Sequence, residues 1–293
     1  MTTTDAPEGV LLIDKPPGVT SHDVIDAVRR ELHTRKVGHA GTLDPMATGL
    51  LVLGVGRATR LLRFLGDLSK TYEGTMRLGV ETDTLDADGE EVRRRDVRVD
   101  PDAVRAAMTN LVGGSLQRPP AYSAVKVGGR KLYEAARAGE AIDADPRQIF
   151  VEAFELLALE GHDVRFRVVC SGGTYVRVLA ADVGDALGCG AHLTQLRRTA
   201  IGPLEVARAT SPDDPGLPLP LSTAVAHLPQ LGLDEHEAEA ASHGSILAPA
   251  AIVGPYAVTA PDGALIGIYR DEGGKAKPEM ILSAARSSGE SRG

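Results

Sequence analysis

The residues of this chain best suited to chemistry are an aspartate, a histidine, two tyrosines and an arginine, all within a few positions of glycine. Asp44 lies in GHAGTLDPMATG (38–49), between clustered glycines and directly before Pro45. Clustered glycines mark tight turns or a backbone that something approaches closely. The following proline pushes Asp44 towards extended backbone. A carboxylate on such a loop can act as nucleophile, general base or metal ligand. It can also simply cap a helix that has proline at its first position. His39, on the same loop, reads as a surface residue or as a functional one. Tyr72, in KTYEGTMRLGV (70–80), is either core packing or a ring that stacks on a flat ligand with its hydroxyl placed for acid–base work. Tyr175 and Arg177 follow two glycines in SGGTYVRVLAADVG (171–184). Arg177 there either meets solvent or pairs with a carboxylate. If the partner is Asp44, the pairing lowers its pKa and keeps it ionised.

Signatures that would add a cofactor are missing. GVGRAT lacks the third glycine of a dinucleotide fingerprint, and there is no G-x-x-x-x-G-K-[ST] loop. His236 and His243 are seven apart, not the H-E-x-x-H of a zinc helix. Neither cofactor nor metal is expected. Cys170 and Cys189, with no C-x-x-C, argue against a disulfide framework and fit a reducing cytosol.

The elements that must position these residues are an α+β mixture. GVLLIDKPPG (9–18) is a strand stopped by Pro16 and Pro17. Thr20 to Leu32 is a helix opened by a Thr20–Asp23 capping box. Residues 33–49 form a glycine-punctuated loop, 50–56 a buried strand and 57–65 a short helix. In the 70–80 strand, Tyr72, Gly74, Met76, Leu78 and Val80 share one face. The acidic stretch after it reads as a loop, and 101–112 as a helix. Residues 122–139 form a basic strand, a Gly-Gly turn and a short helix ended by Gly139. Antiparallel strands follow at 147–159 and 163–170, then a helix through Val176, Ala180, Val183 and Leu187, closed by Gly188. Residues 193–207 return to strand composition. SPDDPGLPLP (211–220) is the best domain boundary. The expected division is a main domain over 1–225, a small β-rich module over 226–288 and a disordered tail at 289–293.

The chain has 293 residues and a formal net charge of −8, which by itself argues against a nucleic-acid partner. The charge is uneven, and a partner meets the local field. Residues 81–102 hold nine acids against four arginines. Basic clusters stand at Arg29, Arg30, Arg35 and Lys36; at Arg57, Arg60 and Arg63; at Lys126, Arg130 and Lys131; and at Arg197 and Arg198. No apolar run is long enough to span a bilayer, and no secretory signal is expected. A cytoplasmic monomer is expected.

Taken in order, these stretches resemble the bacterial tRNA pseudouridine-55 synthase family of the TruB type. GVLLIDKPPGVTSHD, RKVGHAGTLDPMATGLLVLGVGRATR, KTYEGTMRLGVETDTLDADG, PPAYSAVKVGGRKLYEAARAG and SGGTYVRVLAADVGDALGCGAHLTQLRRTAIG carry the likeness over residues 9 to about 207. The resemblance implies an isomerase with a mixed, mostly antiparallel sheet and a PUA-like C-terminal module. Such an enzyme cuts the N-glycosidic bond of one uridine in the tRNA T-loop, rotates the base and rejoins it through carbon. Asp44 matches the family's essential aspartate, and Arg177 the arginine that pairs with it. Tyr72, Tyr175, Leu196 and His39 would surround the flipped nucleotide, with Lys15 and Pro16 beside the cleft. The 29–36 and 126–131 clusters, including Arg130 and Lys131, and Arg197–Arg198 would then track phosphates of the T-arm. The acidic stretch would lie away from RNA. A non-catalytic tRNA-binding or tRNA-folding protein using the same cleft is the competing reading. A sugar hydrolase is weaker, because it needs a second carboxylate beside the bond.

Overall fold

The computed structural model describes residues 7–282, apart from Ala124, Gly139, Ala141 and Asp143 and the side chains of Lys131, Ala136 and Arg137. The tail expected at 289–293 and the closing residue Gly139 fall outside the described residues.

Strand β1 (Gly9–Lys15) is apolar and buried, and it ends at Pro16, which has no N–H for the ladder. Helix α1 (Ser21–Glu31) opens on the capping box: the Thr20 hydroxyl accepts from the Asp23 N–H, and the Asp23 carboxylate accepts from the Thr20 N–H. Val24, Ile25 and Val28 of that helix pack with Leu11 and Ile13 of β1. The 33–49 stretch is not all loop. Four of its residues form β2 (Val37–Ala40), which pairs antiparallel with β3 (Thr48–Val55). Glycines hide that strand, since its pairing comes from a partner farther along the chain. Gly56–Leu65 is a 3-10 helix. β4 (Lys70–Leu78) buries Tyr72, Met76 and Leu78 on one face, as the alternation predicts. The acidic stretch folds as a hairpin of β5 (Val80–Thr82) and β6 (Glu91–Arg94) rather than a plain loop.

Helix α2 (Pro101–Thr109) starts from an Asp100 cap and precedes β7 (Gly113–Gln117). β8 (Lys126–Val127) and β9 (Arg130–Lys131) flank the Gly128–Gly129 turn, with α3 (Leu132–Arg137) after them. β10 (Arg147–Glu160) and β11 (Asp163–Cys170) are antiparallel neighbours, and α4 (Val176–Ala186), β12 (Ala191–Ile201) and β13 (Leu204–Glu205) follow.

The main sheet runs β1-β3-β12-β4-β11-β10-β7, with β2 on β3 and β13 on β12. Every pairing in it is antiparallel except β12 with β3. The structure is therefore the mixed, mostly antiparallel α+β fold that the sequence suggests. At the parallel seam Gly49 has φ +97°, and a Cβ there would lie 2.3 Å from the Arg198 carbonyl oxygen. Only glycine lets β3 run this close to β12. In the next register, Tyr72 sits opposite Arg198 and Gly74 opposite Leu196.

A second sheet contains β14 (Gln230–Gly232), β15 (Pro255–Thr259), β16 (Leu265–Glu272) and β17 (Lys275–Ile281), with α5 (Glu235–Ser242) after its first strand. One face has its own core around Tyr256, Val258 and Tyr269. The other contributes Ala257, Ile268 and Met280 to a cluster shared with Leu50, Leu61 and Leu65 of the main body. Arg60 donates to the Ile281 carbonyl and Arg63 pairs with Glu279 at 2.9 Å. Arg57 bonds both Glu8 and the Leu282 carbonyl. This basic cluster holds the small sheet in place.

Candidate functional site

Asp44 sits between β2 and β3 on a loop pinned from three sides. The Ser21 hydroxyl donates to the Leu43 carbonyl at 3.0 Å and accepts from its N–H at 2.9 Å. The Lys15 ammonium donates to the Pro45 carbonyl at 3.1 Å. Buried Arg198 donates to the carbonyls of Leu50 at 2.7 Å and Gly41 at 3.0 Å. The loop is stiff because the carbonyls on either side of the aspartate are held by cations that cannot move without leaving them unpaired.

Arg177 enters from the first turn of α4 and joins two acids. Its Nη2 lies 3.2 Å from the Asp44 carboxylate, and its Nη1 lies 3.1 Å from Asp86. Nη2 also donates to the Tyr122 carbonyl at 2.9 Å. The arginine and Asp86 side chains are 7% and 4% exposed, whereas Asp44 is 42% exposed. Of the three, only Asp44 can meet a substrate.

Burial pushes the Asp44 carboxyl above the ordinary aspartate value, and the nearby charges of Asp86 and Asp88 add to it. Arg177 and Lys15 pull the other way without cancelling it. Arg177 lowers the value, as expected of the pairing, but the net shift is upward because burial outweighs it. One rim of the carboxylate opens to solvent, but protein surrounds the rest. Burial also pushes the Lys15 ammonium down to about 8.

Asp86 is the residue that sequence reasoning missed. It lies in the acidic stretch expected to face away from the site, yet it turns inward between β5 and β6. Thr84 donates to its carboxylate at 2.6 Å, and the Asp88 N–H donates at 3.2 Å. The available signal was its DADG turn, where an aspartate bonds the backbone two residues on. Asp86 is the second acid that a sugar hydrolase would need. It is sealed behind Arg177, however, and cannot flank a scissile bond.

Tyr72 is buried at the centre of the sheet. Burial pushes its phenol up, while Arg198 opposes that effect. His39 is half-buried on β2. Burial and the Arg198 charge push its imidazole below the ordinary value, so the ring is neutral at pH 7. Tyr175 caps α4, and Gln117 grips its backbone: the Tyr175 N–H donates to the amide oxygen at 2.7 Å, and the amide nitrogen donates to its carbonyl at 3.2 Å. The Arg177 guanidinium carbon is 5.8 Å from the Tyr175 ring centre. Leu196 is partly buried at the edge of the main core.

Other expected contacts are placed differently. Lys15 is fully buried on the Pro16 and Pro45 carbonyls, so it clamps the loop and does not face a substrate. Arg198 is also interior and cannot track phosphates. Arg197 remains half exposed but pairs with Asp14 at 2.6 Å. Arg130 is exposed and pairs with Glu140 at 2.7 Å. Lys131 follows it in β9, its side chain outside the described residues. A concavity of about 540 Å³ is lined by Asp14, Thr48, Arg197 and Thr210, and Asp44 is not in its wall. The Asp44 carboxylate, 42% exposed, lies outside that concavity. Among the described residues no group of three His, Cys, Asp or Glu is placed to hold a metal.

Three family models match the chain. One described as TruB family pseudouridylate synthase (N terminal domain) matches residues 29–176. One described as tRNA pseudouridylate synthase B C-terminal domain matches 177–214, and one described as tRNA Pseudouridine synthase II, C terminal, matches 228–283. The chain is 44% identical over 291 residues to a protein of Thermobifida fusca named tRNA pseudouridine synthase B, covering 95% of this chain and 99% of that one. It is 45% identical over 290 residues to a protein of the same name from Mycolicibacterium paratuberculosis, covering 96% and 99%. Among solved structures, an H/ACA RNP bound to a substrate RNA containing 2′-deoxyuridine is similar at TM-score 0.73 and 25% identity, covering 94% of this chain and 85% of the other. A Cbf5-Nop10-Gar1 complex is similar at TM-score 0.72 and 28% identity, with the same coverage.

Proposed function

The chain belongs to the TruB family of pseudouridylate synthases, and from that membership we propose that its cleft converts the uridine at position 55 of the tRNA T-loop to pseudouridine, with Asp44 as the reacting carboxylate. One observation supports this most directly: in the Asp44–Arg177–Asp86 chain of charges, the only member open to a substrate sits on a clamped loop.

The reaction breaks the bond between C1′ and N1, forms one between C1′ and C5, and moves one proton from C5 to solvent while N1 gains one. Atoms and electrons balance within a single nucleotide, so the chemistry asks for no oxidant or energy source. The target base is stacked in a folded loop and must be extruded, at a cost of a few kcal/mol. An aromatic ring at the cleft that stacks on the extruded base returns about 1–3 kcal/mol. His39, neutral and half-buried on β2, fills the space that the base leaves. Asp44 acts as an anion whether it attacks the pyrimidine ring or the sugar carbon. Arg177 and Lys15 favour that ionised form against its burial.

The test is incubation with an unmodified tRNA transcript, followed by mapping of every uridine. Conversion at position 55, lost in Asp44→Asn while RNA binding persists, is the expected result. Conversion at another position refutes the substrate assignment, and full activity in Asp44→Asn refutes the mechanism.

A further inference from the structure

Tyr175 is held at two points by residues that face each other across β7 and β10. Gln117, at the end of β7, binds its backbone through two hydrogen bonds. Arg147, the first residue of β10 and the register partner of Gln117, reaches its ring. The Arg147 guanidinium carbon lies 4.9 Å from the ring centre, and its Nη2 donates to the Tyr175 hydroxyl oxygen at 3.2 Å. Gly173 makes room for this arm: it has φ +81°, and a Cβ there would come within 3.3 Å of Arg147 Nη1. Among the described residues no acid pairs with Arg147, and its polar contact is with the tyrosine.

A phenol has one proton and an arginine cannot accept one. Because the hydroxyl oxygen already accepts from Arg147, its proton is directed elsewhere. We propose that Arg147 is a positioning residue that fixes the Tyr175 ring and makes its hydroxyl a hydrogen-bond donor towards the extruded base. A uracil offers carbonyl oxygens as the matching acceptors. This inference rests on the functional reading above and adds a residue to it. Lysine is a poor substitute, since it lacks the planar fork that both stacks and donates.

The test compares Arg147→Gln, Arg147→Lys, Tyr175→Phe and the double variant Arg147→Gln/Tyr175→Phe in single-turnover conversion of a T-arm stem-loop. Each single change is expected to lower the maximal rate about tenfold, or about 1.4 kcal/mol, with less than a twofold change in half-saturating RNA. In the Tyr175→Phe background, where no hydroxyl remains to be directed, Arg147→Gln should cost less than it does alone. Effects that multiply overturn the proposal. So does a salt slope of binding that flattens by about 0.7–0.9 in Arg147→Gln, since that marks a direct phosphate contact. A second readout needs no turnover. The chain has six tyrosines, so the ¹³Cζ signal of Tyr175 can be assigned by its loss in Tyr175→Phe. It should move in Arg147→Gln, and a stationary signal refutes the contact. A wild-type chain that converts no uridine refutes the functional reading by itself, and the tyrosine signal still decides whether Arg147 holds Tyr175.

Discussion

Removing Arg177 should do two separable things. The first concerns Asp44. Unit charges about 4 Å apart attract by about 4 kcal/mol at an effective dielectric of 20. Asp44 is 42% exposed, so solvent screens the pair, and halving that figure leaves about 2 kcal/mol. Without the arginine, burial and the Asp86 charge act on Asp44 unopposed except by Lys15. The ionised form then becomes scarcer on the acid side of the pH profile, and the single-turnover rate there falls about thirtyfold. The second effect is on folding. Asp86, with a side chain 4% exposed, would keep a buried charge with no partner, which costs about 3–5 kcal/mol. Arg177→Met alone confounds the two, so the informative variant is Arg177→Met/Asp86→Asn, which removes the orphan acid. Release of label from RNA carrying tritium at uridine C5, followed between pH 5 and 9, reports the reaction directly. The acid limb of the double variant should lie nearer neutral pH than that of Asp86→Asn, which shares its missing acid, with the urea midpoint nearer to wild type than that of Arg177→Met. Acid limbs that coincide in a folded double variant and in Asp86→Asn would refute the role given to Arg177.

Asp86→Asn alone should move the same limb the other way. It removes a charge that raises Asp44 and leaves Arg177 to one carboxylate, so activity persists to lower pH. Lys15→Met leaves the Pro45 carbonyl with one donor fewer and should cost about 1–3 kcal/mol in urea denaturation. The lysine also has a pH signature. Its folded value of about 8 lies below the ordinary 10.5, so over that interval the unfolded chain binds more protons and wild-type stability rises with pH. The stability gap between wild type and Lys15→Met should therefore widen on going from pH 8 to pH 10. Gly49→Ala places a Cβ against the Arg198 carbonyl at a positive φ; calorimetry should show at least about 2 kcal/mol lost.

Features that depend on near neighbours were legible in the sequence. The Thr20–Asp23 capping box, the buried face of Tyr72 and the paired strands β10 and β11 each rest on short-range patterns, and the structure contains all three. β2 was not legible, because VGHA has no strand character without β3 beside it. Asp86 was hidden for a related reason: its partner Arg177 lies 91 positions away, and an acidic run looks like solvated surface until that partner is placed. Adjacent basic residues misled most. Arg197 and Arg198 are one type in one strand, but neighbours in a strand point to opposite sides; one meets solvent and the other is interior. Arg57, Arg60 and Arg63 carried a readable signal in their spacing of three, which aligns side chains along a 3-10 helix. That row faces the small sheet.

The guanidinium of Arg57 binds residue 8 on one side and residue 282 on the other, so two positions far apart in sequence meet at one corner of the fold. A peptide of a few residues could join them. A circularly permuted chain, closed across that corner and reopened at the Gly128–Gly129 turn, should keep the main sheet intact. The two halves of the site, Asp44 and Arg177, would then exchange their order along the polypeptide while keeping their distance in space.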